Sequence, residues 1–307
     1  MATSELKTVV RAQGNVDAML AGQVTPAGWR LDFQEVSVLT QAFRRMVREL
    51  AYDVCEMSFT TYLAAKAHGK RFTALPVFLM RDFHHRAIKV NADAGIRHPK
   101  DLEGRMVGVN RGYTVTTGVW ARGILATEYG VDLDAVTWVI SDDEHVAEYE
   151  PPDNVIRIQA GGDLAEMVAR GELAAAIGVD VDHPKVVHLI PGAEDAGFEA
   201  LRTRGHYPIN HLVVVKDDIL QNHAEVAQTL SEAFTEAKNR YVDKLRAGDI
   251  EHPGVNDRRY LRVSAITGAD PLPYGVDANR AMINELIQHA VDQHILDEAP
   301  SVESLFA

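Results

Sequence analysis

Several clusters in the chain carry groups that can bind or protonate a small anion. In RDFHHR (81–86), Arg81 and Arg86 offer the paired N–H donors that suit a carboxylate, and His84 or His85 could move a proton near neutral pH. The same residues also read as an exposed basic turn held by Asp82. A second set, Arg111, Tyr113, Thr114, Thr116, Thr117 and Arg122, runs into a helical pattern. Its hydroxyls and the unpaired amides of a helix start could grip an anion, or the Thr residues could simply cap the helix. Arg122, more than a turn further on, could instead make an interdomain salt bridge. HYPINH (206–211) places His211 at the mouth of a strand, where it faces a ligand or stabilises a turn. Glu56 and Ser58 form a fourth pair, in which Asp53 and Glu56 could orient a base or Ser58 could simply be an N-cap, and PLPYG (271–275) sets Tyr274 in a rigid loop or an ordinary turn.

Common signatures are missing: there is no phosphate loop, no dinucleotide fingerprint, no HExxH zinc pair and no GxSxG elbow. The 13 His residues are not spaced as a metal cassette, so no metal site is expected. The 307 residues suggest two domains, and 31 basic against 44 acidic residues leave a net charge of −13. That balance gives no global attraction for nucleic acid or an anionic membrane. The lone Cys55 cannot form an internal disulfide. No segment approaches the roughly 20 apolar residues of a membrane span, and the first residues lack an apolar signal core. The expectation is a soluble, cytoplasmic protein.

These groups need a scaffold. Short strands are expected at Leu6–Val10, Tyr52–Cys55, FTALPVFLM (72–80, interrupted by Pro76), Met106–Val109, VTWVI (136–140), LAAAIGV (173–179) and Leu212–Val215. Between them the period lengthens to that of helices at Phe43–Leu50, Thr60–Ala67, the segment after Thr117, and Asp163–Arg170. The clearest amphipathic helix starts near Ala224, and a Pro- and Gly-containing region at 252–274 precedes a last helix over Asp277–His294. The alternation is that of an α/β protein.

The same clusters, in this order, resemble the 4,5-dihydroxyphthalate decarboxylase family. The resemblance rests on YDVCEMS (52–58) followed by Tyr62, ALPVF (74–78) with Arg81, Phe83 and His85, and DLEGRMVGVN (101–110). It continues through VWARG (119–123), YPINH (207–211), PYGVDANR (273–280) and ESLFA (303–307), and so runs across nearly the whole chain. It implies a two-lobed type 2 periplasmic-binding-protein-like α/β fold with a ligand cleft between lobes: a first lobe from 1–97 and 206–307, and an inserted second lobe from 98–205. It also implies non-oxidative loss of carbon dioxide from a hydroxylated aromatic carboxylate, such as 4,5-dihydroxyphthalate going to 3,4-dihydroxybenzoate, with no organic redox cofactor. On that reading Arg81 anchors a carboxylate, assisted by Thr116 and Thr117. His85 first, or His211, transfers the proton, and His85, His211 or Glu56 polarises or deprotonates a hydroxyl. Ser58, Arg111, Tyr113 and Tyr274 complete the substrate contacts.

The chain departs from the family pattern in three places. Asp142, Asp143 and Glu144 stand where Arg- and Gly-rich residues are expected, Leu79-Met80-Arg81 and His84-His85 replace a Pro-Ser-Arg turn and an Arg-His pair, and NRGYTVTT (110–117) replaces a PEYQMT-like loop. The acidic run disfavours a second substrate carboxylate. The alternative function is a non-enzymatic solute-binding protein for a small aromatic or carboxylated metabolite; a homo-oligomer is compatible with either.

Overall fold

The computed structural model describes residues 4–307. The strands are β1 (Ser4–Val9), β2 (Trp29–Phe33), β3 (Val54–Ser58), β4 (Phe72–Arg81), β5 (Ile88–Asn91), β6 (Met106–Val109), β7 (Thr137–Ile140), β8 (Val155–Arg157), β9 (Ala175–Ile177), β10 (Val186–His188) and β11 (Ile209–Lys216). The α-helices are α1 (Asp17–Leu20), α2 (Leu39–Glu49), α3 (Phe59–Ala67), α4 (Thr116–Tyr129), α5 (Leu164–Arg170), α6 (Ala193–Arg204), α7 (Asp217–Asn222), α8 (Val226–Ala247), α9 (Val255–Thr267) and α10 (Arg280–Asp292).

The chain divides into two compact α/β units. The first holds the chain up to Arg81, Ile209–Ile283 and Pro300–Ala307; the second holds Asp82–Pro208 and Asn284–Ala299. Sequence reading places the first crossing between residues 97 and 98. The units part sixteen residues earlier, after β4, because β5 hydrogen-bonds to β9 and β10 of the inserted unit.

In the first unit a five-stranded sheet runs in the order β2-β1-β3-β11-β4. β1 pairs in parallel with β2 and β3, whereas β11 lies antiparallel to both β3 and β4. Buried Val54, Val213, Val215, Leu75 and Val77 pack with Val226, Leu230, Phe234 and Ala237 of α8. The spacing of those α8 residues is the three-to-four period of an amphipathic helix. Burying a side chain the size of Phe234 contributes about 2 kcal/mol by transfer from water. Pro76 does not break β4. The pairing with β11 jumps from Val213↔Leu75 to His211↔Met80, so the irregular stretch absorbs the missing amide.

The second unit carries a six-stranded sheet, β10-β5-β9-β6-β7-β8. β6 is parallel to β7 and β9, and β8 is parallel to β7, while β5 runs antiparallel to β9 and β10. Leu164 and Val168 of α5 pack on Val139, Leu173 and Ala176. Four helices are absent from the sequence reading, the short α1 and α7 and the longer α6 and α9. α6 contains Gly197, where an added Cβ would lie 2.7 Å from Phe83 Cγ, so the close approach of helix and aromatic ring needs a glycine. α9 lies in the Pro- and Gly-containing region and begins at Gly254, whose amide donates to Asp257 Oδ2 at 2.7 Å.

Candidate functional site

Of the sequence candidates, the strand pairing of the first unit brings three together. Ser58 on β3 stands opposite His211 on β11, and Glu56 opposite Val213. Side chains alternate across a strand, so Val54, Glu56 and Ser58 share a face with His211, Val213 and Val215. One end of that face is the apolar core and the other is polar.

Glu56 is fully buried and densely hydrogen-bonded. Its Oε1 lies 2.6 Å from His211 Nδ1 and 3.3 Å from Arg11 Nη2, and its Oε2 accepts the Arg11 amide at 2.8 Å. Burial works against ionisation here, but the His211 hydrogen bond, the His211 and Arg11 charges and the Arg11 amide together hold the carboxyl below its ordinary range. A short contact to a carboxylate assigns the Nδ1 proton to His211. Arg11 Nη2 also lies 3.1 Å from that nitrogen. One ring nitrogen cannot donate to Glu56 and accept from Arg11 at once, so we assign the hydrogen bond to Glu56. Nε2 is then the basic end of the ring. The edge of the ring packs against Phe43 of α2 with centroids 5.2 Å apart. Arg11 is 41% exposed at its side chain and also reaches Met80 Sδ at 3.2 Å.

The other first-unit candidates are engaged elsewhere. Arg81, at the end of β4, is 1% exposed, and its Nη2 donates to the Asn279 side chain and to the Pro273 carbonyl. The Tyr274 hydroxyl accepts from Asn15 Nδ2 at 3.1 Å, and burial pushes its pKa up. Burial, followed by the Glu56 charge, raises the Cys55 thiol well above its ordinary value, which disfavours the nucleophilic thiolate.

The second unit holds the remaining candidates. His85 is buried, with Nε2 3.0 Å from Glu128 Oε1, and Arg204 pairs with the same carboxylate. Burial opposes the Glu128 charge, but His85 and Arg204 outweigh it and lower the carboxyl. His206 and His289 lie 2.9 Å and 3.7 Å from Glu285 Oε1, and both rings meet the faces or edges of Trp120 at about a right angle. Arg111 takes a left-handed backbone with φ 74°; its amide donates to Ser141 Oγ at 2.7 Å. The Tyr113 and Thr114 amides point at Glu144. α4 starts after Val115 with no side-chain cap, so Thr116 and Thr117 occupy its first turn instead of capping it. Arg122 does not make the expected interdomain salt bridge: its Nε donates to Gln293 Oε1 at 2.8 Å and its Nη2 to the Tyr113 carbonyl at 2.7 Å, all within the second unit.

Arg11 and Met80 escaped the sequence reading. Arg11 follows a short strand with no motif around it, and only the parallel β1–β3 pairing puts its amide against Glu56. The usable signal was weak: a cation just past the end of a buried strand. Among the described residues, no group of three or more His, Cys, Asp or Glu is placed to hold a metal ion. No described helix is long and apolar enough to cross a membrane.

No family model matches the chain. Individual relatives do. The chain is 30% identical over 264 residues to 4,5-dihydroxyphthalate decarboxylase of Comamonas testosteroni, covering 80% of this chain and 79% of that protein. It is 33% identical over 176 residues to the Pseudomonas putida protein of the same name, covering 53% and 68%. Among solved structures, the alkanesulfonate-binding protein SsuA from Xanthomonas axonopodis pv. citri, bound to MOPS, superposes with a TM-score of 0.54 at 12% identity, over 99% of this chain and 98% of that one. The periplasmic aliphatic sulphonate binding protein SsuA from Escherichia coli gives 0.54 at 10%, over the same shares. The fold is that of the type 2 periplasmic-binding-protein-like superfamily, two-lobed and α/β. The cytoplasmic expectation does not stand: a solved structure sharing this fold is a periplasmic protein, and the lack of a long apolar helix assigns no compartment. By its likeness to the Comamonas protein across four-fifths of its length, the chain belongs to the 4,5-dihydroxyphthalate decarboxylase family.

Proposed function

We propose that the protein catalyses non-oxidative decarboxylation of a hydroxylated aromatic carboxylate, with His211 as the proton donor, Glu56 as the group that orients it, and Arg11 as the cation that attracts the carboxylate. The observation that carries this reading is the 2.6 Å contact between His211 Nδ1 and the fully buried Glu56. A buried carboxylate at Nδ1 fixes the tautomer and orientation of the ring and leaves Nε2 as the nitrogen that handles the proton.

The chemistry follows from what such a pair can deliver. A hydroxyl para to the carboxylate feeds electron density into the ring. Protonation by His211 Nε2 at the carbon bearing the carboxylate gives a cyclohexadienyl cation stabilised by that hydroxyl. The C–C bonding electrons then return to the ring as carbon dioxide leaves, so one proton replaces one carboxylate. His211 recovers its proton from solvent, and no electrons are gained or lost. The acid must act on the transition state more strongly than on the bound ground state, which a preoriented proton donor does. Arg81 and His85, both buried and hydrogen-bonded to protein groups, have no part in this scheme.

The family link supports the reaction class, and the substrate is tested directly. Purified protein in D2O is incubated with 4,5-dihydroxyphthalate and with monocarboxylate hydroxybenzoates, and products are followed by chromatography and mass spectrometry. The expected result is many turnovers with one deuterium at the ring position vacated by carbon dioxide. Binding with no product from any hydroxylated carboxylate would sink the proposal. It would favour a second reading, a solute-binding protein, which has support in the fold shared with alkanesulfonate-binding proteins.

A further inference from the structure

Residues 11–15 leave β1 at the C-terminal end of its parallel pairing with β3, the end at which open α/β sheets take ligands. The segment crosses the end of the first unit's sheet and is anchored on both sides. Arg11 gives its amide to Glu56 of β3 at 2.8 Å. Asn15, 2% exposed, donates through Nδ2 to the Leu79 carbonyl of β4 and to the Tyr274 hydroxyl, both at 3.1 Å. β11 lies between β3 and β4 and runs the other way, so its early residue His211 stands at the same end of the sheet. Gly14 fixes the path of the segment, because an added Cβ would collide with the Tyr241 ring of α8. All of these residues belong to the first unit.

Gln13 is the middle residue of this span. Its backbone is extended, with φ −163° and ψ 153°, and its carbonyl accepts the Val16 amide at 2.8 Å. Its side chain does not cap the turn that follows. Instead, Gln13 Nε2 is buried and has no hydrogen-bond partner. A buried amide donor left unmade destabilises the free protein, which an apolar side chain at this position would avoid. The residue as a whole is half-buried, so rotation about its last side-chain bond turns the donor to the open side.

Arg11 gives the reason for a second donor. A guanidinium holds both oxygens of a carboxylate through a fork, end-on from Nη1 and Nη2 or side-on from Nε and Nη2. Both forks use Nη2. In Arg11 that atom is committed to Glu56 Oε1 at 3.3 Å and to Met80 Sδ at 3.2 Å. Arg11 therefore reaches a ligand carboxylate without its fork, and the second oxygen needs a donor from elsewhere.

Resting on the reading of Arg11 as the cation of the decarboxylase site, we infer that Gln13 is a further ligand-binding residue, whose carboxamide N–H donates to the carboxylate oxygen that Arg11 leaves free. The donor that is unmatched in the free protein is matched when the ligand binds. Because the carboxylate departs in the reaction, Gln13 acts on binding and not on the proton transfer.

The test uses benzoate, which lacks the hydroxyl the reaction needs and so reports binding alone. Calorimetric titrations compare the wild type with Gln13→Met, which keeps the length of the side chain, and Gln13→Glu, which keeps its shape and offers no donor at neutral pH. Each is checked for folding by its melting transition. Gln13→Met is expected to weaken benzoate binding by about tenfold, the scale of one hydrogen bond to a charged group, with a melting transition equal to or above that of the wild type. Gln13→Glu is expected to weaken it further, since it sets a second carboxylate against that of the ligand. A residue with a structural role alone gives the opposite pattern, a lowered melting transition with unchanged affinity. That pattern overturns the inference, as does unchanged affinity in both folded variants or a wild type that does not bind benzoate. Turnover of hydroxybenzoates, measured on the same samples, separates the two claims. Weakened benzoate binding in the variants of a wild type without turnover supports the Gln13 assignment and sinks the decarboxylase reading, and turnover with unshifted benzoate affinity does the reverse.

Discussion

Replacing Glu56 by Gln keeps the volume of the side chain and removes its charge. The carboxylate takes three contacts: the Arg11 amide at 2.8 Å, Arg11 Nη2 at 3.3 Å and His211 Nδ1 at 2.6 Å. A carboxamide can accept on one side only. If its oxygen keeps the Arg11 amide, its NH2 group faces His211, and the ring must flip to the Nε2–H tautomer to accept there. The imidazolium then has a donor, in place of a counter-charge, at Nδ1. Each charge-assisted hydrogen bond is worth about 1.5–3 kcal/mol. Removing a buried charge returns part of its desolvation cost, so the net loss of stability should be about 1–2 kcal/mol. The effect on chemistry is larger. We expect kcat to fall about 10²–10⁴-fold, the range for a positioned general acid, while KM changes little because Arg11 is retained. The assay is product formation against pH on the preferred hydroxybenzoate, with urea unfolding of the same samples and an imidazole nitrogen spectrum of His211. A folded Glu56→Gln variant with kcat within threefold of wild type and the same pH profile would refute the pairing as the source of catalysis.

Two other consequences follow from the geometry. Arg11→Gln leaves the backbone contact to Glu56 intact and removes a partly exposed guanidinium, so KM should rise by about tenfold while stability, read from urea unfolding, changes by less than about 1 kcal/mol; an unchanged KM would detach Arg11 from the ligand. Glu285 has its carboxyl lowered from 4.5 to about 2: burial opposes this, but the hydrogen bonds and charges of His206 and His289 prevail. A depressed folded pKa contributes stability that is complete above the unfolded value and lost as pH falls from about 4.5 towards 2. The shift sets an upper bound of roughly 3 kcal/mol, and solvent access to a side chain 31% exposed reduces it to about 1–2 kcal/mol. Glu285→Gln should therefore flatten the acid limb of the unfolding profile in that window, and an acid limb of unchanged slope would remove the assignment.

Much of the scaffold could be read along the chain because the relevant forces are local. β6 falls on the residues expected, and α5 and α8 follow the spacing of their buried side chains. The errors have local causes as well. α9 was hidden by the Pro and Gly residues that bracket it, although Gly254 and Asp257 form its start. Pro76 argued for an interrupted strand, and an irregular register let β4 continue through it. The candidate site was less legible. Glu56, Ser58 and His211 were all visible as reactive types, but nothing near them in sequence distinguishes the pair in contact from Arg81 and His85, which the fold buries against other partners.

The sequence by itself determined the alternation of strands and helices, the charge balance that excludes general attraction for nucleic acid, and the family, since these depend on residue type and order. Tertiary structure alone decided which groups work together. The 155 residues between Glu56 and His211 are bridged by one antiparallel pairing, and the 31 between Tyr113 and Glu144 by two adjacent parallel strands. Hydrogen bonding and ionisation depend on distances of a few ångströms, and strand order sets those distances, not separation along the chain.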